Sequence, residues 1–346
     1  MENIPGLPIV YYGKLNEWKE ERPAALITSP AAWERVGGLL GLPLVVQAEP
    51  EQTDYEFLHT LSQNVPAMVK VIYAVGSSTQ FKIGKVVAHE NNLPLVIVPI
   101  ELDSDQMFEP HVELMSQGIL NNISTGAAES IVVDWEVILA GDMHRRAGMV
   151  ADMLAIVTSL LDWRYAIKQN KVDHPFLPWA AGVAAGIASQ TIKYAPGIGR
   201  GEVEAMRGVM DLTGISVQLA NQLGHSRHQE GTEHYLAFAL QNNGVKDVSH
   251  AECLAPGILL TSALHGQDPG ALRDALEQAG VLVNKIRLAE LQIGINDLPA
   301  FVANNHLPYA VAHDIDPLSD QLRKAMETAG LTGDTGGWAV AGAPQG

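Results

Sequence analysis

Residues 69–91 read VKVIYAVGSSTQFKIGKVVAHEN. The run Val69–Val75 is short, apolar and rich in β-branched residues, and Gly76 ends it. Thr79–Asn91 is long enough for a helix. A strand, a tight turn and a helix in succession form the unit from which open parallel sheets are built. Four more runs share this texture: Ala24–Thr28, Leu44–Gln47, Leu95–Val98 and Ile131–Asp134, with Pro43, Pro94 and Pro99 at their borders. None alternates strictly, as expected of strands covered on both faces. Asp54–Gln63 supplies a second helix-length stretch. Residues 1–137 are therefore expected to form an α/β, Rossmann-like domain with a parallel sheet.

Beyond Val137 the texture changes. Stretches rich in Ala, Leu and Met take over: Gly148–Gln169, Trp179–Tyr194, Glu202–Leu223, Thr232–Gln241, Ala255–Leu264, Pro269–Ala279 and Asp316–Thr328. Their composition favours helix and predicts an all-α domain over residues 138–330. Residues 331–346 read as a flexible, Gly-rich tail. Ligands of open parallel sheets sit beyond the carboxyl ends of the strands. A helical domain closing over that edge would supply catalytic side chains.

Composition bounds the function. Of 346 residues, 47% are hydrophobic, which excludes disorder for the bulk of the chain. A net charge of −17 repels phosphate backbones and anionic membranes, so nucleic acid is not the expected partner. The uncharged stretch between His174 and Lys193 is short for a membrane span and carries Ser189 and Gln190. Cys253 is the single cysteine, and MENIPGLPIVYYGKLNE has no signal-peptide pattern. Both fit a reducing, cytoplasmic setting.

Five of twelve histidines fall between His225 and His265: His225, His228, His234, His250 and His265. Each alone reads as an ordinary polar helix residue. A catalytic zinc site needs three converging His or carboxylate ligands with one position open, and composition does not choose them.

Three blocks do more. Ala151–Ala166 reads ADMLAIVTSLLDWRYA, Gly224–His234 reads GHSRHQEGTEH and His250–Gly257 reads HAECLAPG. They resemble, in order, blocks of the iron-dependent alcohol dehydrogenase and dehydroquinate synthase-like superfamily, most closely its sn-glycerol-1-phosphate dehydrogenase branch. Asp152 precedes the Asp162–Trp163 pair by ten residues, and His250 follows His234 by sixteen, close to the spacing of that branch. Ile131–Ile138 and Leu264–Gly280 extend the resemblance over most of the chain. It implies a dehydroquinate synthase-like fold and a metal held by Asp152, His234 and His250, either Zn²⁺ or Fe²⁺ or Ni²⁺. It further implies NAD(H) or NADP(H), a small polyol or polyol phosphate as substrate, and a homo-oligomer. His265 falls outside the His-x-Glu-x-x-x-x-Gly frame, and Asp142 lacks the Asp-Trp register.

The cofactor block matches this family less closely. Gly76 and Lys85 agree, whereas Ser77 and Ser78 stand where the family has glycines and Lys82 where it has an acid. The two hydroxyls either crowd a pyrophosphate or donate to it. In PIELDSDQMFEP, Pro99 and the substrate-side Asp105 agree, and Ile100 replaces a threonine. The resemblance thus gives Gly76, Ser77, Ser78, Lys85 and Pro99 to the cofactor and Asp105 to catalysis. Arg227 and Lys193 are weaker candidates for a substrate phosphate. Two other functions compete with the dehydrogenase. One is a dehydroquinate synthase-like sugar-phosphate cyclase, which favours Glu at the first ligand. The other is a non-catalytic protein whose nicotinamide site has degraded.

Overall fold

The computed structural model describes residues 6–50, 52–116 and 119–332. The strands are β1 (Ile9–Tyr12), β2 (Ala24–Ile27), β3 (Leu44–Ala48), β4 (Val71–Gly76), β5 (Leu95–Pro99), β6 (His111–Ser116), β7 (Ile119–Ser124) and β8 (Ser130–Val133). The helices begin with α1 (Pro30–Val36), α2 (Tyr55–Gln63), α3 (Ser78–Glu90), α4 (Trp135–Leu139), α5 (Gly148–Lys168) and α6 (Pro178–Arg200). They continue with α7 (Val203–Leu223), α8 (Thr232–Asn242), α9 (His250–Leu264), α10 (Gly270–Ala279), α11 (Leu288–Asn304) and α12 (Asp320–Thr328). The chain divides into two compact units. One runs to Met149 and includes Ile198–Gln222; the other holds Val150–Gly197 and the chain from Leu223 onward.

The first unit is built on a six-stranded sheet in the order β1-β8-β5-β4-β2-β3, with every pairing parallel. All residues of β4 are buried, as its uninterrupted apolar sequence requires. Val71, Tyr73 and Val75 pack with Leu26, Val96, Val98 and Val132 in one core cluster. Each such side chain contributes roughly 1.5–3 kcal/mol by leaving water. Tyr73 keeps its hydroxyl satisfied at the core edge: it donates to Glu20 at 2.8 Å and accepts from Trp18 Nε1 at 2.9 Å. Gly76 pairs with Pro99 in register, and the Ile100 N–H donates to the Gly76 carbonyl at 3.0 Å. The carboxyl ends of β4 and β5 are thereby stitched together.

By contact, the first unit runs past residue 137 to Met149. Residues 198–222 group with the sheet. On α7, Arg207 stacks its guanidinium 4.7 Å from the Tyr12 ring, and Gly214 faces Phe108. An antiparallel hairpin of β6 and β7 also stands apart from the main sheet. The expected tail lies, from residue 333 on, outside the described residues.

In the second unit every helix carries buried apolar residues, and α8 and α9 cross at very short range. A Cβ on Gly257 would lie 2.7 Å from both the Cα and the carbonyl oxygen of Glu233. Only hydrogen fits there. Among the described residues, no helix is long and apolar enough to cross a membrane.

Candidate metal centre and cofactor turn

Helix α5 carries Asp152, Ser159 and Asp162 at spacings of seven and three residues. At 3.6 residues per turn they share one face. That face meets α8 and α9. Asp152 is buried, and its Oδ1 lies 2.5 Å from His250 Nε2 and 3.8 Å from His234 Nε2. One donor atom from each of Asp152, His234 and His250 falls within 4.8 Å of the others. His250 is the first residue of α9, held by a capping box: Ser249 accepts from the Glu252 N–H at 3.2 Å, and Glu252 accepts from the Ser249 N–H at 2.7 Å. The His234 and His250 rings lie 6.2 Å apart, centroid to centroid.

The electrostatics of the three side chains follow from that burial. Desolvation would raise the Asp152 pKa, but the His250 charge and the hydrogen bonds from both imidazoles hold it well below the usual carboxylate range. Burial opposes the charged form of His234, yet hydrogen bonds to Asp152 and Glu233 raise its pKa well above the ordinary value. A divalent cation suits this set: one carboxylate, two imidazoles and a place where protons already gather.

Two acids that the sequence reading left without a role complete this centre. Glu233 is fully buried and accepts from Thr158 Oγ1 and Ser159 Oγ, both at 2.8 Å. Its Oε1 lies 3.1 Å from His234 Nδ1, which leaves Nε2 directed at Asp152. Asp162 accepts from the Thr232 and Val311 N–H groups at 2.8 and 3.0 Å and pairs with His265 Nε2 at 2.8 Å. Because Gly231 offers no capping side chain, Asp162 caps α8 from a neighbouring helix. A Glu directly before a candidate ligand histidine, ahead of the apolar run YLAFAL, was the available signal for Glu233.

The residues expected on the cofactor side all lie in the first unit. Gly76 takes φ +151°, and Ser77 and Ser78 open α3. The Ser77 N–H and hydroxyl both donate to Gln80 Oε1, at 3.1 and 3.2 Å. The Ser78 N–H and hydroxyl donate to the buried Asp103 carboxylate at 2.9 and 2.6 Å. Lys85 sits seven residues into α3, about 10 Å along its axis from Ser78. Its buried ammonium donates to the carbonyls of Gln106 and Glu109, and burial lowers its pKa to about 7. Pro99 ends β5, and Asp105 lies partly buried in a 3₁₀ turn close enough to Lys85 to favour its charge.

Other candidates have structural partners. Asp142 caps a 3₁₀ turn by accepting from the His144 N–H at 3.0 Å. Arg227 is buried; it donates to the Tyr309 carbonyl at 2.8 Å and lies 3.5 Å from Asp173. Lys193 is exposed. Burial pushes the Cys253 thiol up to about 12, which leaves it inert.

No family model matches the chain. Among solved structures, glycerol dehydrogenase from Schizosaccharomyces pombe superimposes with a TM-score of 0.64 at 16% identity, over 96% of this chain and 94% of that one. An iron-containing alcohol dehydrogenase from Corynebacterium glutamicum gives 0.63 at 14% identity, over 95% and 96%. The chain has the fold of the iron-containing alcohol dehydrogenases. Within that fold its sequence is similar to glycerol-1-phosphate dehydrogenase [NAD(P)+] of Thermoplasma volcanium, 25% identical over 81% of this chain and 80% of that protein.

Proposed function

We propose that the chain is a metal-dependent, NAD(P)-linked dehydrogenase of a small polyol or polyol phosphate, glycerol-1-phosphate being the first substrate to test. The observation that carries this reading is the meeting of Asp152, His234 and His250 within 4.8 Å. The likeness to glycerol-1-phosphate dehydrogenase over four-fifths of both chains supports the substrate class. Asp152, His234 and His250 would hold Zn²⁺, Fe²⁺ or Ni²⁺, and when bound such an ion supplies Lewis acidity toward a hydroxyl or carbonyl oxygen. Glu233 keeps the His234 ring in the orientation that presents Nε2. Asp105 serves on the substrate side by resemblance. A single buried cysteine fits a reducing, cytoplasmic setting, and the family pattern suits a homo-oligomer.

The test is turnover. Protein stripped of metal and reloaded with Zn²⁺ should oxidise glycerol-1-phosphate or reduce dihydroxyacetone phosphate with NAD(H) or NADP(H). His250→Ala should lose bound metal and turnover together. Absence of turnover across polyols, polyol phosphates and both nicotinamides, with metal loaded, overturns the reading.

A further inference from the structure

A pyrophosphate site at a helix N-terminus needs free amides, a positive field and room for the backbone to approach. In the turn before α3 the first two amides are already engaged. The Ser77 amide is held by Gln80, and the Ser78 amide and hydroxyl are held by the Asp103 carboxylate. Asp103 is an anion bonded where a phosphate oxygen would bind. Its backbone is clamped: a Cβ on Gly148, the first residue of α5, would lie 1.7 Å from the Asp103 carbonyl oxygen. The Met149 N–H also donates to the Leu102 carbonyl at 3.3 Å.

The surrounding charges add to the misfit. Glu101, buried two residues away, is a second acid at the same strand end, and Asp103 helps push its pKa up to about 7. The cations nearby already have partners, two of them at this strand end, where Arg35 also donates to the Ile100 carbonyl at 3.4 Å. Arg145 pairs with Glu101 at 3.3 Å, and Arg35 donates to the Val137 carbonyl at 2.8 Å. Lys82 donates to the Glu113 carbonyl at 3.3 Å, and Lys85 to Gln106 and Glu109.

We infer that Asp103 is a built-in competitor for the dinucleotide pyrophosphate: it occupies the Ser78 amide and sets how tightly a nicotinamide cofactor binds. This rests on the nicotinamide reading of the function, but it concerns cofactor affinity rather than turnover. The residues present do not fit a pyrophosphate while that carboxylate stays in place. The two serines are then secondary. Their side chains matter less than the acid that fills the amide.

Fluorescence titration with NADH and NADPH decides it, using wild type, Asp103→Asn and Asp103→Ser. Asparagine keeps the shape and removes the charge; serine empties the space. Both variants should bind at least one dinucleotide roughly tenfold or more tightly than wild type, because an anion at a helix N-terminus is replaced by a neutral group. Circular dichroism and thermal melts establish that each variant is folded, and one folded variant suffices for the comparison. Unchanged or weaker binding in a folded variant overturns the inference, as does an absence of binding in all three proteins. A wild type without turnover beside an Asp103 variant that binds tightly would sink the dehydrogenase reading for this chain while upholding the competitor.

Discussion

Glu233 shows how much one side chain can decide. It spends one oxygen on Thr158 and the other on Ser159 and His234, so it is satisfied without any cation beside it. Glu233→Gln keeps the volume and one acceptor oxygen, leaves the other hydroxyl to the Ala155 carbonyl, and weakens the hold on His234 Nδ1. Metal affinity should fall about 10–100-fold, read by competition with a chromogenic chelator, with little change in melting temperature. Glu101 gives a second test at this scale. Burial, then Asp103, moves its pKa from 4.5 to about 7, so the folded chain holds a proton that the unfolded chain has lost between those values. Stability therefore falls as pH rises through that window, and the loss is complete above it. Glu101→Gln should stabilise the protein by about 1–3 kcal/mol near pH 8 and by much less near pH 5, as measured by urea unfolding. Asp152, His234 and His250 stand on three different helices, so no single-helix periodicity joins them, and only the resemblance named them together. Asp103 was not legible: its contact with Ser78 links two strand ends 25 residues apart.

At the scale of elements, the crossing of α8 and α9 governs the centre. Gly257→Ala forces a methyl against the Glu233 backbone and should cost about 1–3 kcal/mol, with metal occupancy falling in parallel when measured on the same preparation. Five of the six strands of the main sheet were readable as apolar runs between turn residues. Edge strand β1 was not: Ile9–Tyr12 offers four residues next to Pro8 and Gly13, too little pattern to separate from a loop. The β6–β7 hairpin mixes polar and apolar residues without a core on both faces, so it lacked the signature of the other strands. Interior prolines misled in three helices. Pro256 hid the first turn of α9, Pro196 hid the end of α6, and Pro299 together with Gly294 hid α11 altogether. In each, tertiary burial outweighs the lost helix bond.

At the scale of the molecule, the candidate metal-binding and cofactor-side residues belong to different compact units, and the three converging side chains all come from one of them. Metal should therefore stabilise the chain by mass action, by about 2.7 kcal/mol at a free concentration a hundredfold above Kd, and a chelator should reverse it. The pH dependence has a defined sign. Without metal, the raised pKa of His234 adds stability that is fully present below about 6.5 and is lost as pH rises through the folded value. Metal replaces that proton, so the gap in melting temperature between loaded and stripped protein should widen as pH rises. Finally, α5 serves as a single rod on which Asp152, Ser159 and Asp162 are indexed. Inserting or deleting one residue between the two aspartates would rotate everything downstream by about 100° and uncouple Asp152 from the cap of α8. Length in that segment is consequently more constrained than identity, and viable insertions and deletions belong in the loops.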